Sequence, residues 1–163
     1  MSVDFENLKE KILITSLEIV IFDGWSDKTL FEAASINRIT VKHVRELFPK
    51  GAKDLVKFYH LYDDNIFLKI FREIDLSNLS HFKKIELALF KRFEVIIKNK
   101  EAFRRSMAFY NLPFNQIEGL NLVFSTCDKI WVEIGDRSYS YDWYTKRILL
   151  GSIYLSSLLF LFG

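Results

Sequence analysis

Apolar residues recur at steps of three and four along most of the sequence, which is the spacing of one face of an α-helix. The most regular run comprises Ile117, Leu120, Phe124, Cys127, Trp131 and Ile134. The pattern predicts helices at about residues 5–22, 28–35, 41–48, 52–74, 82–96, 101–111, 117–134 and 143–162. Because Gly, Pro and polar clusters separate these runs, the predicted fold class is all-α.

Two of the predicted helices are short and follow each other closely. Ser26 or Asp27 can cap the first and Thr40 the second, since short polar side chains accept hydrogen bonds from the free N–H groups at a helix start. Pro49 and Gly51 end the second helix. The sequence therefore predicts a helix-turn-helix within residues 1–51 and a longer helical part in residues 52–163, both in one compact unit.

The composition agrees with this fold class. Half of the 163 residues are hydrophobic and sixteen are Phe, with only six Gly and two Pro, which fits long helices around one sizeable core. A net charge of +2 creates no global attraction for nucleic acid or anionic lipid. The single cysteine rules out an internal disulfide, and the acidic start lacks the positive region of a signal peptide, so we expect a chain that is not exported.

The sequence contains no arrangement of residues typical of catalysis or metal binding. His43, His60 and His81 lack the spacing of metal ligands. Cys127 lies on an apolar stripe rather than beside a base, and Gly-rich phosphate loops and nucleophile motifs are missing. We therefore expect a binding protein rather than an enzyme, with no cofactor and no metal.

The C-terminal residues 148–163 carry no charge. A helix of this length spans roughly 24 Å, against about 30 Å for the hydrocarbon core of a bilayer. Gly151 and the serines at 152, 156 and 157 also lower its hydrophobicity. This favours a core or dimer helix over a membrane span.

DNA binding is the first function that a helix-turn-helix suggests. The segment 24–56 resembles the N-terminal domain of TetR-type regulators, on the residues Thr29, Ala33, Ala34, Phe48 and Leu55. However, Val44 stands where those regulators usually place an aromatic residue in the recognition helix. Residues 38–57 carry a net charge of +4, but residues 81–105 carry +5, so charge does not single out this element. We expect no specific binding of nucleic acid.

A more specific resemblance rests on three motifs in the C-terminal half. These are Leu112-Pro113, a Trp131 four residues before Gly135-Asp136, and Trp143-Tyr144-Thr145-Lys146-Arg147 after Asp142. In these motifs the sequence resembles the coenzyme Q biosynthesis protein nine family of mitochondria and alphaproteobacteria, although Asp142 replaces the usual Asn. The resemblance covers nearly the whole chain.

That resemblance implies a TetR-like fold whose helical part, residues 52–163, binds a ligand and forms a homodimer. The implied function is that of a non-enzymatic accessory protein of ubiquinone biosynthesis. Such a protein binds an isoprenoid, a quinone or another lipid in an apolar cavity and presents the intermediate to a di-iron demethoxyubiquinone hydroxylase. To the cavity we assign Phe58, Tyr62, Phe67, Phe90, Phe93, Met107, Phe124 and Trp131.

The family places the Trp143-Tyr144 pair on the surface that contacts the hydroxylase, and we extend this predicted surface with Ile130 and Ile134. Family members usually continue into an amphipathic helix that touches the membrane, which this sequence, ending at Gly163, does not contain. The expected location is the cytoplasm or, peripherally, the inner face of a bacterial plasma membrane. The alternative function is a TetR-type DNA-binding regulator that senses an apolar effector.

Overall fold

The structure is a computed structural model that describes residues 2–163, with side chains from Asp4 onward. Within this range the chain forms helices and no strands, which confirms the predicted all-α class. The helices are α1 Ser2–Asp23, α2 Asp27–Ile36, α3 Val41–Leu47, α4 Ala52–Arg72, α5 His81–Lys98, α6 Lys100–Asn111, α7 Gln116–Glu133 and α8 Ser140–Phe162. The order of a short helix pair before longer helices is compatible with a TetR-like fold.

The helix-turn-helix forms through the predicted caps. The Ser26 hydroxyl accepts a hydrogen bond from the Thr29 N–H at 3.2 Å, and the Thr40 hydroxyl accepts one from the His43 N–H at 3.4 Å. Gly51 has a φ of +62°, and a Cβ there would collide with the Asp27 carboxylate. This close approach lets Asp27 accept a hydrogen bond from the Ala52 N–H at 2.8 Å, which caps α4.

The chain divides into two compact units. The first, which we call the N-terminal unit, comprises the chain up to Tyr62 together with Asn99–Phe109. Its core includes Trp25, whose indole N–H donates to the Ala102 carbonyl at 2.9 Å and whose ring lies 5.0 Å from that of Tyr59. Our predicted division into residues 1–51 and 52–163 stays a prediction.

The second, the C-terminal unit, comprises Asp63–Lys98 and Tyr110–Gly163. Helices α7 and α8 pack against each other, and α7 also contacts α5. The buried apolar side chains of this core include Phe67, Phe71, Ala88, Val95, Ile96, Leu122, Cys127, Ile130, Leu150, Tyr154 and Leu158.

The face that α7 buries differs from the predicted one. The regular apolar run begins with Ile117 and Leu120, and these side chains are 77% and 58% exposed. The buried face is instead centred on Thr126 and Ile130. Thr126 turns inward because its hydroxyl donates a hydrogen bond to a buried carboxylate, a partner that a hydrophobicity pattern cannot indicate.

Helix α8 begins three residues before the predicted start at Trp143, within the expected loop. One side is buried in the C-terminal unit, through Leu150, Gly151, Tyr154 and Leu158. The other side is exposed and mostly apolar; it includes Tyr141, Tyr144, Ile148, Leu149, Ile153, Leu159 and Phe160. The expectation of a core or dimer helix is met on the buried side of α8, and a dimer contact on the exposed side stays a prediction.

Among the described helices, α8 is the one whose length and composition would allow it to cross a membrane, with a mean hydropathy of 1.3 over its most apolar window. Core helices of soluble proteins meet the same criterion, so this property alone assigns no membrane span.

Candidate functional site

The Trp143-Tyr144 pair lies in the first turns of α8, with its two rings in different environments. Trp143 is half-buried, and its ring centroid lies 5.4 Å from that of Phe124 on α7. Tyr144 is 58% exposed. Its ring meets that of Trp143 edge-on, with centroids 4.8 Å apart and an interplanar angle of 88°. The inner ring therefore supports an outer ring that faces solvent.

Arg147 lies beneath this pair and is almost completely buried, with 1% of its side chain exposed. Its Nε donates to Asp128 at 2.7 Å, and its Nη1 donates to Asp136 at 3.2 Å and to the Trp143 carbonyl at 3.2 Å. The guanidinium carbon lies 4.4 Å from the centroid of the Trp143 ring, within the range of a cation–π interaction. One arginine thus connects α7, the α7–α8 loop and the aromatic pair.

Lys146 completes this group, which we call the Arg147 ion cluster: Asp128, Asp136, Lys146 and Arg147. The Lys146 ammonium donates to Asp136 at 2.7 Å and lies 5.3 Å from the centroid of the Trp131 ring. The Trp131 indole N–H donates to the Lys146 carbonyl at 3.1 Å. The Trp, Gly-Asp and Trp-Tyr-Thr-Lys-Arg motifs of the sequence therefore meet at one place.

The Asp136 carboxylate is the centre of this cluster. Burial by itself would raise the pKa of Asp136, but hydrogen bonds from Lys146, Ser138 and Arg147 outweigh it and hold the pKa well below its ordinary value. The Ser138 hydroxyl donates at 2.6 Å. Asp136 is therefore a charged acceptor that ties the loop before α8 to the helix itself.

Two further tyrosines near this pair are exposed, and neither is among the predicted site residues. Tyr139 and Tyr141 are 83% and 80% exposed. Tyr141, Tyr144 and Ile148 recur at steps of three and four and so share one face of α8. The signal that could have found them is the repeated tyrosine in "SYSYDWY", since exposed aromatic residues are enriched at contact surfaces.

The expected contribution of Ile130 and Ile134 to this surface is wrong for the chain as it is folded here. Ile130 is fully buried and Ile134 nearly so. Ile130 lies on the same buried side of α7 as Thr126 and Cys127, one turn earlier, and Ile134 directly follows the end of the helix. Of the four predicted partner-binding residues, only Trp143 and Tyr144 reach the surface.

Three of the predicted cavity residues, Phe58, Tyr62 and Met107, lie in the N-terminal unit and are half-buried. The Tyr62 hydroxyl donates to Glu10 at 2.8 Å. The rings of Phe58 and Tyr62 have centroids 6.2 Å apart. Phe58 and Tyr62 contribute to aromatic packing on α4. The role of all three side chains in lipid binding stays a prediction.

The other five, Phe67, Phe90, Phe93, Phe124 and Trp131, lie in the C-terminal unit. Phe67 is fully buried, and Phe93 stacks on Tyr154 with centroids 5.6 Å apart. Phe90 is largely exposed and lines an open cleft of ≈ 320 Å³, rather than an enclosed cavity. The remaining lining comes from Leu79, Lys83, Glu86 and Leu87.

A second group of charges is buried in the C-terminal unit, and sequence reasoning did not predict it. Asp64, whose side chain is 2% exposed, accepts hydrogen bonds from Arg92 at 3.0 Å, Lys129 at 2.9 Å and Thr126 at 3.0 Å. We call these four residues the Asp64 ion cluster. Its members are 28 to 65 residues apart in the sequence from Asp64, so no local motif reveals them.

The reactive groups of the described residues give no sign of a catalytic centre. No group of three His, Cys, Asp or Glu in this part of the chain is arranged to hold a metal ion. Cys127 is fully buried, and burial, followed by the nearby Asp64 charge, raises the pKa of its thiol to about 12. A thiol in that state is a poor nucleophile. The geometry defines an all-helical protein with an exposed, aromatic and partly apolar surface at the start of α8.

Comparison with known proteins shows which family this chain resembles. The COQ9 family model matches residues 117–163, the segment that contains the Arg147 ion cluster and the Trp143-Tyr144 pair. The chain is 26% identical over 156 residues to the Homo sapiens ubiquinone biosynthesis protein COQ9, mitochondrial, covering 91% of this chain and 49% of that protein. The predicted resemblance to the COQ9 family is thereby confirmed.

Two other relatives show the same relationship. Ubiquinone biosynthesis protein COQ9-B, mitochondrial, of Xenopus laevis is 28% identical over 160 residues, covering 93% of this chain and 54% of that protein. The probable ubiquinone biosynthesis protein coq9, mitochondrial, of Dictyostelium discoideum is 35% identical over 86 residues, covering 53% of this chain and 28% of that protein. The chain spans about half the length of the two animal relatives.

Proposed function

We propose that this chain is a non-enzymatic accessory protein of ubiquinone biosynthesis that binds an isoprenoid or quinone lipid and presents it to a di-iron demethoxyubiquinone hydroxylase. The biosynthetic role follows from the names of the COQ9 relatives. The observation that carries the docking role is the exposed Tyr144 ring, supported from below by Trp143 in the segment that the family model matches.

The docking role is tested with Tyr144→Ala. Aromatic anchors at protein interfaces typically contribute about 2 kcal/mol or more to binding, so we expect the hydroxylase to bind this variant roughly 30-fold more weakly. Because the Tyr144 side chain is mostly exposed, its melting temperature should remain close to that of the wild type. Titration by isothermal calorimetry and a thermal melt measure the two effects separately.

The matched control is Phe22→Ala, which removes an aromatic ring that is 80% exposed on α1. It should change neither binding nor melting. Trp143→Ala should lower both, because this ring is half-buried against Phe124. Full-strength binding by Tyr144→Ala, or a melting temperature many degrees lower, would contradict the docking role.

The lipid ligand is supported by the aromatic content of the chain and by the open apolar cleft beside Phe90. Ligand sites of this kind are mostly apolar with few polar groups. Native mass spectrometry of the purified protein, followed by lipid extraction, should find an isoprenoid, a quinone or a phospholipid. Repeated extraction without any lipid would exclude this part of the proposal.

The homodimer is supported by the exposed apolar side of α8, which carries Ile148, Ile153 and Phe160 without any charge between them. An exposed apolar surface of this extent marks an interaction site. Light scattering after size-exclusion chromatography should give twice the mass of 19.3 kDa. The location also stays a prediction: the relatives are named as mitochondrial, whereas we expect the cytoplasm or the inner face of a bacterial plasma membrane.

DNA-binding regulation remains the alternative because α2 and α3 do form a helix pair, with Arg38, Lys42 and Arg45 exposed. Val44, at the position of the usual aromatic residue, is fully buried in this unit. Specific complexes persist at physiological salt with a Kd of about 10⁻⁸ M or lower, whereas contacts to phosphates alone weaken steeply with salt. A footprint on a defined operator at that salt would favour the regulator.

A further inference from the structure

We propose that the Arg147 ion cluster is a positioning device: it fixes the orientation of the Trp143 ring and, through that ring, of Tyr144. The identity of the partner rests on the proposed function above. The orientation of Trp143, in contrast, can be measured on the chain alone.

Arg147 is held from three directions. It is fixed by Asp128 on α7, by Asp136 in the loop before α8, and by the Trp143 carbonyl one turn earlier on its own helix. With 1% of the side chain exposed, the guanidinium has no room to change its rotamer without breaking these hydrogen bonds. The plane of the guanidinium therefore has a fixed orientation within the C-terminal unit.

The Arg147 guanidinium contacts the aromatic pair through the Trp143 ring. The guanidinium lies 4.4 Å from the Trp143 ring centroid, and Phe124 contacts the same ring from α7. Tyr144 has its edge-on contact with Trp143 and is otherwise largely exposed. The orientation of the exposed ring consequently depends on that of the inner ring, which Arg147 and Phe124 set between them.

The charged residues at this position supply a fixed geometry rather than extra stability. Buried ion pairs often stabilise a fold no more than apolar residues of similar volume do, because the cost of desolvation offsets the attraction. What a guanidinium adds is a planar group with several donors in a fixed geometry, which lysine lacks. The cluster also fixes the backbone of α8, since the Trp131 indole holds the Lys146 carbonyl. The Arg147 side chain thus faces inward, away from a partner, whereas the Lys146 side chain is partly exposed beside Asp136.

The experiment uses Arg147→Lys and Asp136→Asn, with the protein labelled by 5-fluorotryptophan. The chain has three tryptophans, so ¹⁹F NMR gives three resonances, assigned by Trp143→Phe and Trp131→Phe. Trp25, in the N-terminal unit, is the internal reference. We expect the Trp143 resonance to shift or broaden in both variants well below their melting temperatures, while the Trp25 resonance stays in place.

Binding to the hydroxylase should weaken by about tenfold in the same variants, as expected when a supporting contact worth about 1.4 kcal/mol is lost. The matched control is Arg72→Lys, which alters a bidentate arginine–carboxylate pair with Glu133 in the same unit but on the surface. It should leave both the Trp143 resonance and binding unchanged.

An unchanged Trp143 resonance in both variants would overturn the positioning role. So would full binding by both variants when Tyr144→Ala binds weakly. If Tyr144→Ala itself binds at full strength, the docking function fails, and a shifted Trp143 resonance still supports the positioning role. Should Arg147→Lys not fold, Asp136→Asn keeps the shape of the side chain and decides the question.

Discussion

Replacing Asp64 with Asn should destabilise the protein more than the loss of any surface ion pair would. The substitution keeps the volume of the side chain but removes the negative charge that Arg92 and Lys129 share. Removing one partner of a buried ion pair costs about 3 to 5 kcal/mol, because the remaining charge is left without compensation in a region of low dielectric constant.

The lower end of that range applies here. The Arg92 guanidinium retains Asp63, whose carboxylate lies 3.9 Å away, and the Lys129 side chain is 27% exposed and can reach water. We therefore expect a loss of about 3 kcal/mol, which for a chain of this size lowers the melting temperature by roughly 6 to 12 °C. Thr126→Val, which removes one hydroxyl donor from the same carboxylate, should cost about 1 kcal/mol.

The assay is urea unfolding followed by circular dichroism at 222 nm, with thermal melts on the same samples. Glu86→Gln is the matched control, because it removes the charge from a pair with Lys83 in which both side chains are more than half exposed. Such pairs contribute at most about 1 kcal/mol. A loss below 1 kcal/mol for Asp64→Asn, or a loss equal to that of Glu86→Gln, would refute the burial argument.

Three further predictions follow from the packing and the titration of the C-terminal unit. Gly119→Ala should destabilise the protein by up to about 2 kcal/mol, because its Cβ would lie 2.9 Å from the Tyr110 Cβ. Gly151→Ala should stabilise it by up to about 1 kcal/mol, because a Cβ there would lie 3.8 Å from its nearest neighbour and alanine favours a helix over glycine. Urea unfolding of both variants measures the two effects. The Cys127 thiol, with its raised pKa and full burial, should react with a disulfide reagent only at the rate of unfolding, and rapid labelling of the folded protein would contradict this. Folding lowers the pKa of Asp136, so the ionised carboxylate stabilises the folded protein. This contribution is complete above the ordinary carboxyl pKa of about 3.9 and is lost progressively as the pH falls below that value toward the lowered pKa of the folded state. The difference in melting temperature between the wild type and Asp136→Asn should therefore shrink from pH 7 to pH 3.

The sequence alone determined where the helices lie. Their apolar residues recur at helical spacing, and the caps at Ser26 and Thr40 are local features, formed between residues three positions apart. The motif residues of the C-terminal half were also recognisable by themselves, and the exposure of Tyr144 agrees with the surface role that the resemblance implied. Such features depend on neighbours along the chain, so a linear pattern contains them.

Only the tertiary structure decided which face of each helix is buried and where the charges go. The regular stripe of α7 placed Ile117 in the core and Ile130 outside it, and the structure reverses both. The reason is the Asp64 ion cluster, which draws Thr126 inward through a partner 62 residues away. A charge is buried only where an opposite charge or a hydrogen-bond donor lies next to it. The packing of helices that are distant in sequence brings such partners together, and the hydrophobicity of a single helix does not indicate it.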